Sequence, residues 1–191
     1  MDRIVVENTR VTPMRRLLGI TGYKGCGKST VAKIIIDQKY DRFSFAGTLK
    51  AMLSVLGLSE EEINGSMKEK PSKLLGGKTP RFAMQTLGTE WARDIIDQNI
   101  WVNVLERKLV AHLNTSIQNR AVVDDVRFLN EAEMIRRQGG KIVKVVRPGA
   151  EVSDHQSERE IDMIEPDIYL VNDRDIDWLR GNVQHLFRTL T

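Results

Sequence analysis

The stretch Gly22-Tyr23-Lys24-Gly25-Cys26-Gly27-Lys28-Ser29 fits the pattern G-x-x-x-x-G-K-[S/T]. The chemistry this spacing serves is the binding of a nucleoside triphosphate. Glycines let the backbone curl around an anion and aim successive N–H groups at it. The helix that follows adds the unpaired N–H groups and the dipole of its first turn. In this arrangement Gly22, Gly25, Cys26, Gly27, Lys28, Ser29 and Thr30 form the ATP-binding set. Lys28 reaches the β- and γ-phosphates, and Ser29 supplies a hydroxyl to Mg²⁺. Asp124 and Asp125 close an apolar run that begins near Arg120. A carboxylate at such a strand end is placed to hold the Mg²⁺ shell, and Asp125 is taken as that ligand together with Ser29. Arg127 stands two residues on. Strand alternation puts it on the side of Asp125, where a guanidinium can clamp an acceptor phosphate in bidentate fashion. Two further basic sets, Lys50, Arg81 and Arg93 and then Arg147, His155 and Arg159, complete a pattern suited to two phosphorylated substrates held head to head. Phosphoryl transfer asks for that positioning and charge neutralisation and needs no covalent protein nucleophile.

The elements that must carry these groups follow from periodicity. Leu17 to Thr21 reads as a strand and residues 28–39 as the first helix. Arg42 to Phe45 reads as a second strand, broken at Ala46-Gly47. A helix carrying Leu49, Met52, Leu53 and Leu56 ends at Gly57. Ser59 and Glu62 form a capping-box pair. Residues 66–79 read as a surface loop whose lysines face solvent. Thr79-Pro80 opens a helical stretch to Ile96, with Phe82, Met84, Leu87, Trp91 and Ile95 on its apolar face. Asp97 is expected to cap a helix turning Trp101, Val104, Leu105 and Leu109 inward. Asn130 and Glu133 mark a helix start after the strand 120–126. Strands 141–146 and 168–171, and a last helix with Leu179, Val183, Leu186, Phe187 and Leu190, complete the chain. Trp91 is expected in the core, and Trp101 either in the core or stacked on a base. Strands alternating with helices about five times imply one three-layer α/β domain with a parallel sheet. Ligands then sit at the carboxyl ends of the strands. Residues 46–116 are too many for one crossover and read as a helical insert beside the nucleotide site.

The 191 residues suffice for one domain with a full core. The net charge of +3 is too mild to require a nucleic-acid partner. No apolar run is long enough to cross a bilayer, and no leader pattern opens the chain, so a cytoplasmic location is expected, host cytoplasm if the source is viral. The lone cysteine, Cys26, excludes an internal disulfide framework. It reads as a small residue that a tight loop tolerates.

Several segments together resemble the bacteriophage deoxynucleoside monophosphate kinases. They are Phe45 to Lys50, Arg81 with Met84-Gln85-Thr86-Leu87-Gly88-Thr89-Glu90, Trp101-Val102, Asp125-Val126-Arg127-Phe128 with Asn130-Glu131, Val146 to Gly149, and Val171-Asn172-Asp173. The resemblance covers about residues 17–190. It implies a P-loop kinase fold: a five-stranded parallel sheet with an inserted helical acceptor-binding region (about 46–116) and a short lid (about 147–163). It implies transfer of the ATP γ-phosphate to a deoxynucleoside monophosphate, with Mg²⁺ accompanying ATP. Lys24 would then face acceptor and donor alike. Lys50, Arg81, Gln85, Thr89, Trp101 and Arg127 would line the acceptor site, and Arg147 would act from the lid over ATP. Lys28, Asp125, Arg127 and Arg147 form the catalytic set on this view. Base preference and oligomeric state stay open, a homodimer included. Two other readings stand beside it: a P-loop kinase for another metabolite, of the phosphomevalonate or dephospho-coenzyme A kind, and a nucleotide-dependent ATPase or switch module.

Overall fold

The structure, a computed structural model, describes residues 16–150 and 160–189. Residues 1–15, His155, Arg159, most of the expected lid and Leu190 lie outside the described residues.

Five strands form one parallel sheet: β1 (Leu17–Thr21), β2 (Asp41–Phe43), β3 (Ala121–Val123), β4 (Lys141–Val146) and β5 (Ile168–Val171), in the order β2-β3-β1-β4-β5. Side chains of successive strand residues leave the sheet on opposite faces, and each face has its own core. Leu17, Ala121, Val123 and Ile142 pack on one side against α2 (Ala46–Val55), α5 (Ile100–Thr115) and α6 (Leu129–Arg137). Leu18, Ile20, Val122, Val143 and Val145 pack on the other against α1 (Lys28–Ile36) and α7 (Ile176–Thr189). Residues between strands β2 and β3 form α2, α3 (Glu60–Ile63), a 3₁₀ turn (Ser66–Glu69), α4 (Pro80–Gln85), a π-helix (Thr86–Ile96) and α5. Strand β1 lies between β3 and β4, so the chain's crossovers diverge beside it. That switch point is where open α/β sheets bind ligands.

Local signals set most boundaries. Ser59 accepts from Glu62 N–H while the Glu62 carboxylate accepts from Ser59 N–H, the reciprocal cap read from the sequence. Thr79 accepts from Phe82 N–H, with Pro80 at the first helical position.

Elsewhere the structure corrects the expectations. Phe45 is not in a strand, and Ala46-Gly47 opens α2 instead of breaking β2. Helix α1 ends at Ile36. Leu56 lies just beyond α2 and is exposed. Helix α5 is entered from Asn99, whose N–H donates to the Asp97 carboxylate, and Val102 is buried where Val104 was expected. Helix α6 uses Glu131, not Glu133: its carboxylate accepts from the N–H groups of Arg127 and Phe128. The stretch 86–96 is wound as a π-helix, closed by Asp97 N–H donating to the Ala92 carbonyl. An i→i+5 helix fits about one more residue into each turn than an α-helix. The 3.6-residue stripe therefore fails, and Trp91 and Ile95 emerge 39% and 75% exposed.

Candidate active site

The phosphate loop joins β1 to α1. Gly22 has φ +137°, and a Cβ there would lie 2.5 Å from the Val145 carbonyl oxygen. Gly27, which caps α1, has φ +101° and would bring a Cβ within 2.3 Å of Asn172 Nδ2. The contact has a purpose. Asn172 is buried, its Nδ2 donates to the Cys26 carbonyl at 2.9 Å, and its own N–H donates to Val146. The ends of β4 and β5 thus pin the loop from below. Cys26 is buried in the core beneath it, which fits a packing residue. Lys28 Nζ donates to the carbonyls of Gly22 and Tyr23 at 2.5 and 2.6 Å, folding the ammonium over the loop. Ser29 and Thr30 stand exposed on the first turn of α1. Gly27→Ala is expected to cost about 1–3 kcal/mol through the left-handed backbone. The loss should appear as a lowered melting temperature and a raised ATP KM, with acceptor KM little changed. An unchanged melting temperature and ATP KM would show that the loop does not need this glycine.

Beside the loop lies a cleft of about 490 Å³. Strand β3 and the chain beyond it deliver Asp125, Arg127 and Phe128; helix α2 delivers Phe45 and Lys50. Helix α4 contributes Arg81 and Gln85, the π-helix Gly88, Thr89 and Arg93, and α5 Trp101. Gln85, Thr89 and Arg93, four residues apart in sequence, all line this cleft. Trp101 is buried and its Nε1 donates to the Gly88 carbonyl at 2.8 Å, so it is both core and cleft wall. A second cleft of about 410 Å³ is lined by Lys24, Gly25 and residues 147–150, which places Arg147 on that side. Lys24 lines both clefts. Tyr23 donates to the Asp162 carboxylate, which also accepts from Lys144 Nζ at 3.1 Å; these bonds lower the Asp162 pKa from the ordinary carboxylate value.

The two aspartates part company, as strand alternation requires. Asp124 turns toward β2 and pairs with Arg42 at 2.6 Å. Asp125 turns to the cleft; its two carboxylate oxygens accept from Phe45 N–H at 2.8 Å and Ala46 N–H at 3.0 Å, at the start of α2. Burial pushes the Asp125 carboxyl above its ordinary range, against the pull of those N–H groups. Deeper, Arg93 and Glu131 form a buried pair at 2.6 Å. Burial pushes Glu131 up to about 7, opposed by Arg93. Arg93 also lies 4.0 Å over the Phe128 ring.

Every residue expected at the acceptor site lines the first cleft: Lys24, Lys50, Arg81, Gln85, Thr89, Trp101 and Arg127. Sequence reasoning gave no site role to Lys68 and Glu69, which also line it, nor to the supports Asn172 and Glu131, which it quoted only within resembling segments. By spacing, an acid at the third helical position marks Glu131, but Glu133 three residues after Asn130 was as good a match.

A phosphate loop at the switch point of a parallel five-stranded sheet, beside a cation-lined cleft, defines a P-loop kinase. The fold matches TT1252 from Thermus thermophilus with a TM-score of 0.52 at 17% identity, over 93% of this chain and 98% of that one. In sequence, the chain is 37% identical over 175 residues to an Acanthamoeba polyphaga mimivirus protein provisionally named a deoxynucleotide monophosphate kinase, covering 84% of this chain and 90% of that protein. It is 27% identical to the deoxynucleoside-5'-monophosphate kinase of Escherichia phage T5, over 64% of this chain and 72% of that protein. Residues 78–183 match the family model described as deoxynucleotide monophosphate kinase. The chain belongs to the deoxynucleotide monophosphate kinase family, and its activity is phosphoryl transfer to a deoxynucleoside monophosphate. Family membership sets aside the metabolite-kinase and ATPase-switch readings.

Proposed function

We propose that the phosphate loop holds Mg·ATP and the adjoining cleft holds the deoxynucleoside monophosphate, with the γ-phosphate passing between them beside Lys24. One observation carries this reading: Lys24 lines both clefts, so a single loop residue borders both substrates. Lys28 draws charge from the β- and γ-phosphates as the leaving group forms. Ser29 and Asp125 offer only oxygen donors, a set that fits Mg²⁺; the ion supplies charge neutralisation on the nucleotide. Lys50, Arg81 and Arg127 hold the acceptor phosphate, and Gln85, Thr89 and Trp101 face the nucleoside. Arg147 acts on ATP from the donor side, where it lines the second cleft. Residues 46–116 act as the acceptor-binding insert. No covalent intermediate with the protein is required, because orientation and neutralisation lower the barrier.

The test is a coupled ADP-release assay with Mg·ATP and dTMP, dGMP, dCMP or dAMP singly, plus a control without acceptor. Acceptor-dependent release is expected. Release without any acceptor would overturn the assignment of the first cleft as the acceptor site. Arg127→Ala removes a charged donor from that cleft, worth a factor of about 10–100 in acceptor KM, with ATP KM within about twofold. Equal loss at both substrates would mean that the two sites are assigned wrongly.

A further inference from the structure

The lysines between residues 66 and 79 are not equivalent. Lys70, Lys73 and Lys78 are exposed, as a solvated charge run should be. Lys68 is half-buried and lines the acceptor cleft. Its turn is built to hold it there. Lys68 N–H donates to the Gly65 carbonyl and Lys70 N–H to the Met67 carbonyl, while the Glu61 carboxylate accepts from Ser66 N–H. Among the described residues the Lys68 ammonium makes no hydrogen bond and no ion pair. The neighbouring acid, Glu69, is already engaged with Arg81 at 2.8 Å.

We propose that Lys68 is a substrate-binding residue that closes the acceptor-phosphate site from the insert side. The inference rests on reading this cleft as the acceptor site. The groups facing Lys68 are Lys50 from α2, Arg81 from α4, Arg127 beyond β3 and, as the one acid among them, Glu69 on its own turn. A half-buried lysine among three cations is electrostatically unfavourable by itself. A dianionic phosphate entering the same cleft reverses that balance, and no neutral or cationic ligand does. The physical cost is visible in its acidity: burial, with Arg81, Lys50 and Arg127 adding to it, lowers the Lys68 pKa to about 8. A phosphate dianion favours the protonated form, so acceptor binding above that pH must take up a proton.

Lys68→Gln and Lys68→Arg test the proposal, with the best acceptor of the four-nucleotide panel. Lys68→Gln is expected to raise acceptor KM about tenfold at pH 7, with ATP KM and kcat within about twofold. Wild-type acceptor KM should climb between pH 8 and 9.5. Lys68→Arg, which keeps its charge throughout that range, should lose this climb. Any other ionisation is common to both proteins and cancels in the comparison. Calorimetric titration of the wild-type enzyme with the same acceptor at pH 8.5, in two buffers of different ionisation enthalpy, should show net proton uptake. That measurement stands even where a variant folds poorly. An acceptor KM in Lys68→Gln within twofold of wild type, or an identical pH profile in Lys68→Arg, overturns the role of Lys68. If Arg127→Ala also leaves acceptor KM unchanged, the failure lies in the reading of the cleft itself.

Discussion

Lys28→Ala is expected to lower acceptor-dependent ADP release by about 10³-fold in kcat, equivalent to ~4 kcal/mol of transition-state stabilisation. The argument starts from the loop. Its N–H groups and the α1 dipole supply partial charges, whereas Lys28, in the role proposed for it, brings a full one to the point where negative charge develops as the β–γ bond breaks. The Gly22 and Tyr23 carbonyls fix the ammonium at 2.5 and 2.6 Å, so little reorganisation is needed when a polyphosphate arrives. Lys28→Arg is not a rescue, because the two carbonyls cradle a point charge and a planar fork does not fit the same space. The loop glycines and Asn172 remain in the alanine variant, so its melting temperature should stay close to that of the wild type. A kcat within tenfold of wild type would remove Lys28 from the chemistry. A fall in melting temperature matching the loss of rate would make its role architectural.

What could be read from the sequence was what is encoded locally. The phosphate loop is one such feature, because glycine, lysine and serine act within eight consecutive positions. The caps at Ser59 and Thr79 are others, each a side chain bonding three residues along its own chain. The parallel sheet followed from alternation alone, since long connections between strands leave little other choice. Arg127 on the side of Asp125 followed from the two-residue period of an extended chain. What escaped depends on tertiary partners. The π-helix at 86–96 was read with the wrong period, which put Trp91 in the core. Lys68 is indistinguishable from Lys70 or Lys73 until the turn at 66–69 is folded against α4. Asn172, quoted in the sequence only within a segment that resembles the family and given no role, supports the phosphate loop across 146 positions of chain. The resemblance did recover Gln85, Thr89 and Trp101 as cleft residues, which periodicity could not have done.

The second large effect is expected at Asp125. This carboxylate faces two ways. It accepts the Phe45 and Ala46 N–H groups and so fastens the first turn of α2, which carries Lys50 into the cleft, to the end of β3. It also lines the cleft, and the proposed function gives it a place in the Mg²⁺ shell. Asp125→Ala leaves two N–H groups without an acceptor in a desolvated position, at about 1–3 kcal/mol each, so the melting temperature falls. Asp125→Asn keeps one carbonyl oxygen for α2 but turns an amide donor toward the other N–H and removes the charge. Its stability loss should be smaller, while kcat drops about 10²-fold and the Mg²⁺ concentration needed for half-maximal rate rises. The two variants therefore separate anchoring from chemistry. If Asp125→Asn shows an unchanged Mg²⁺ requirement together with a raised acceptor KM, Asp125 acts only through α2 and the metal shell must be completed elsewhere. If its Mg²⁺ requirement rises while acceptor KM holds, one carboxylate both fixes the insert against the sheet and helps hold the metal of the incoming nucleotide. Displacement of that single side chain would then disturb donor and acceptor sites together, because both are built against the end of β3.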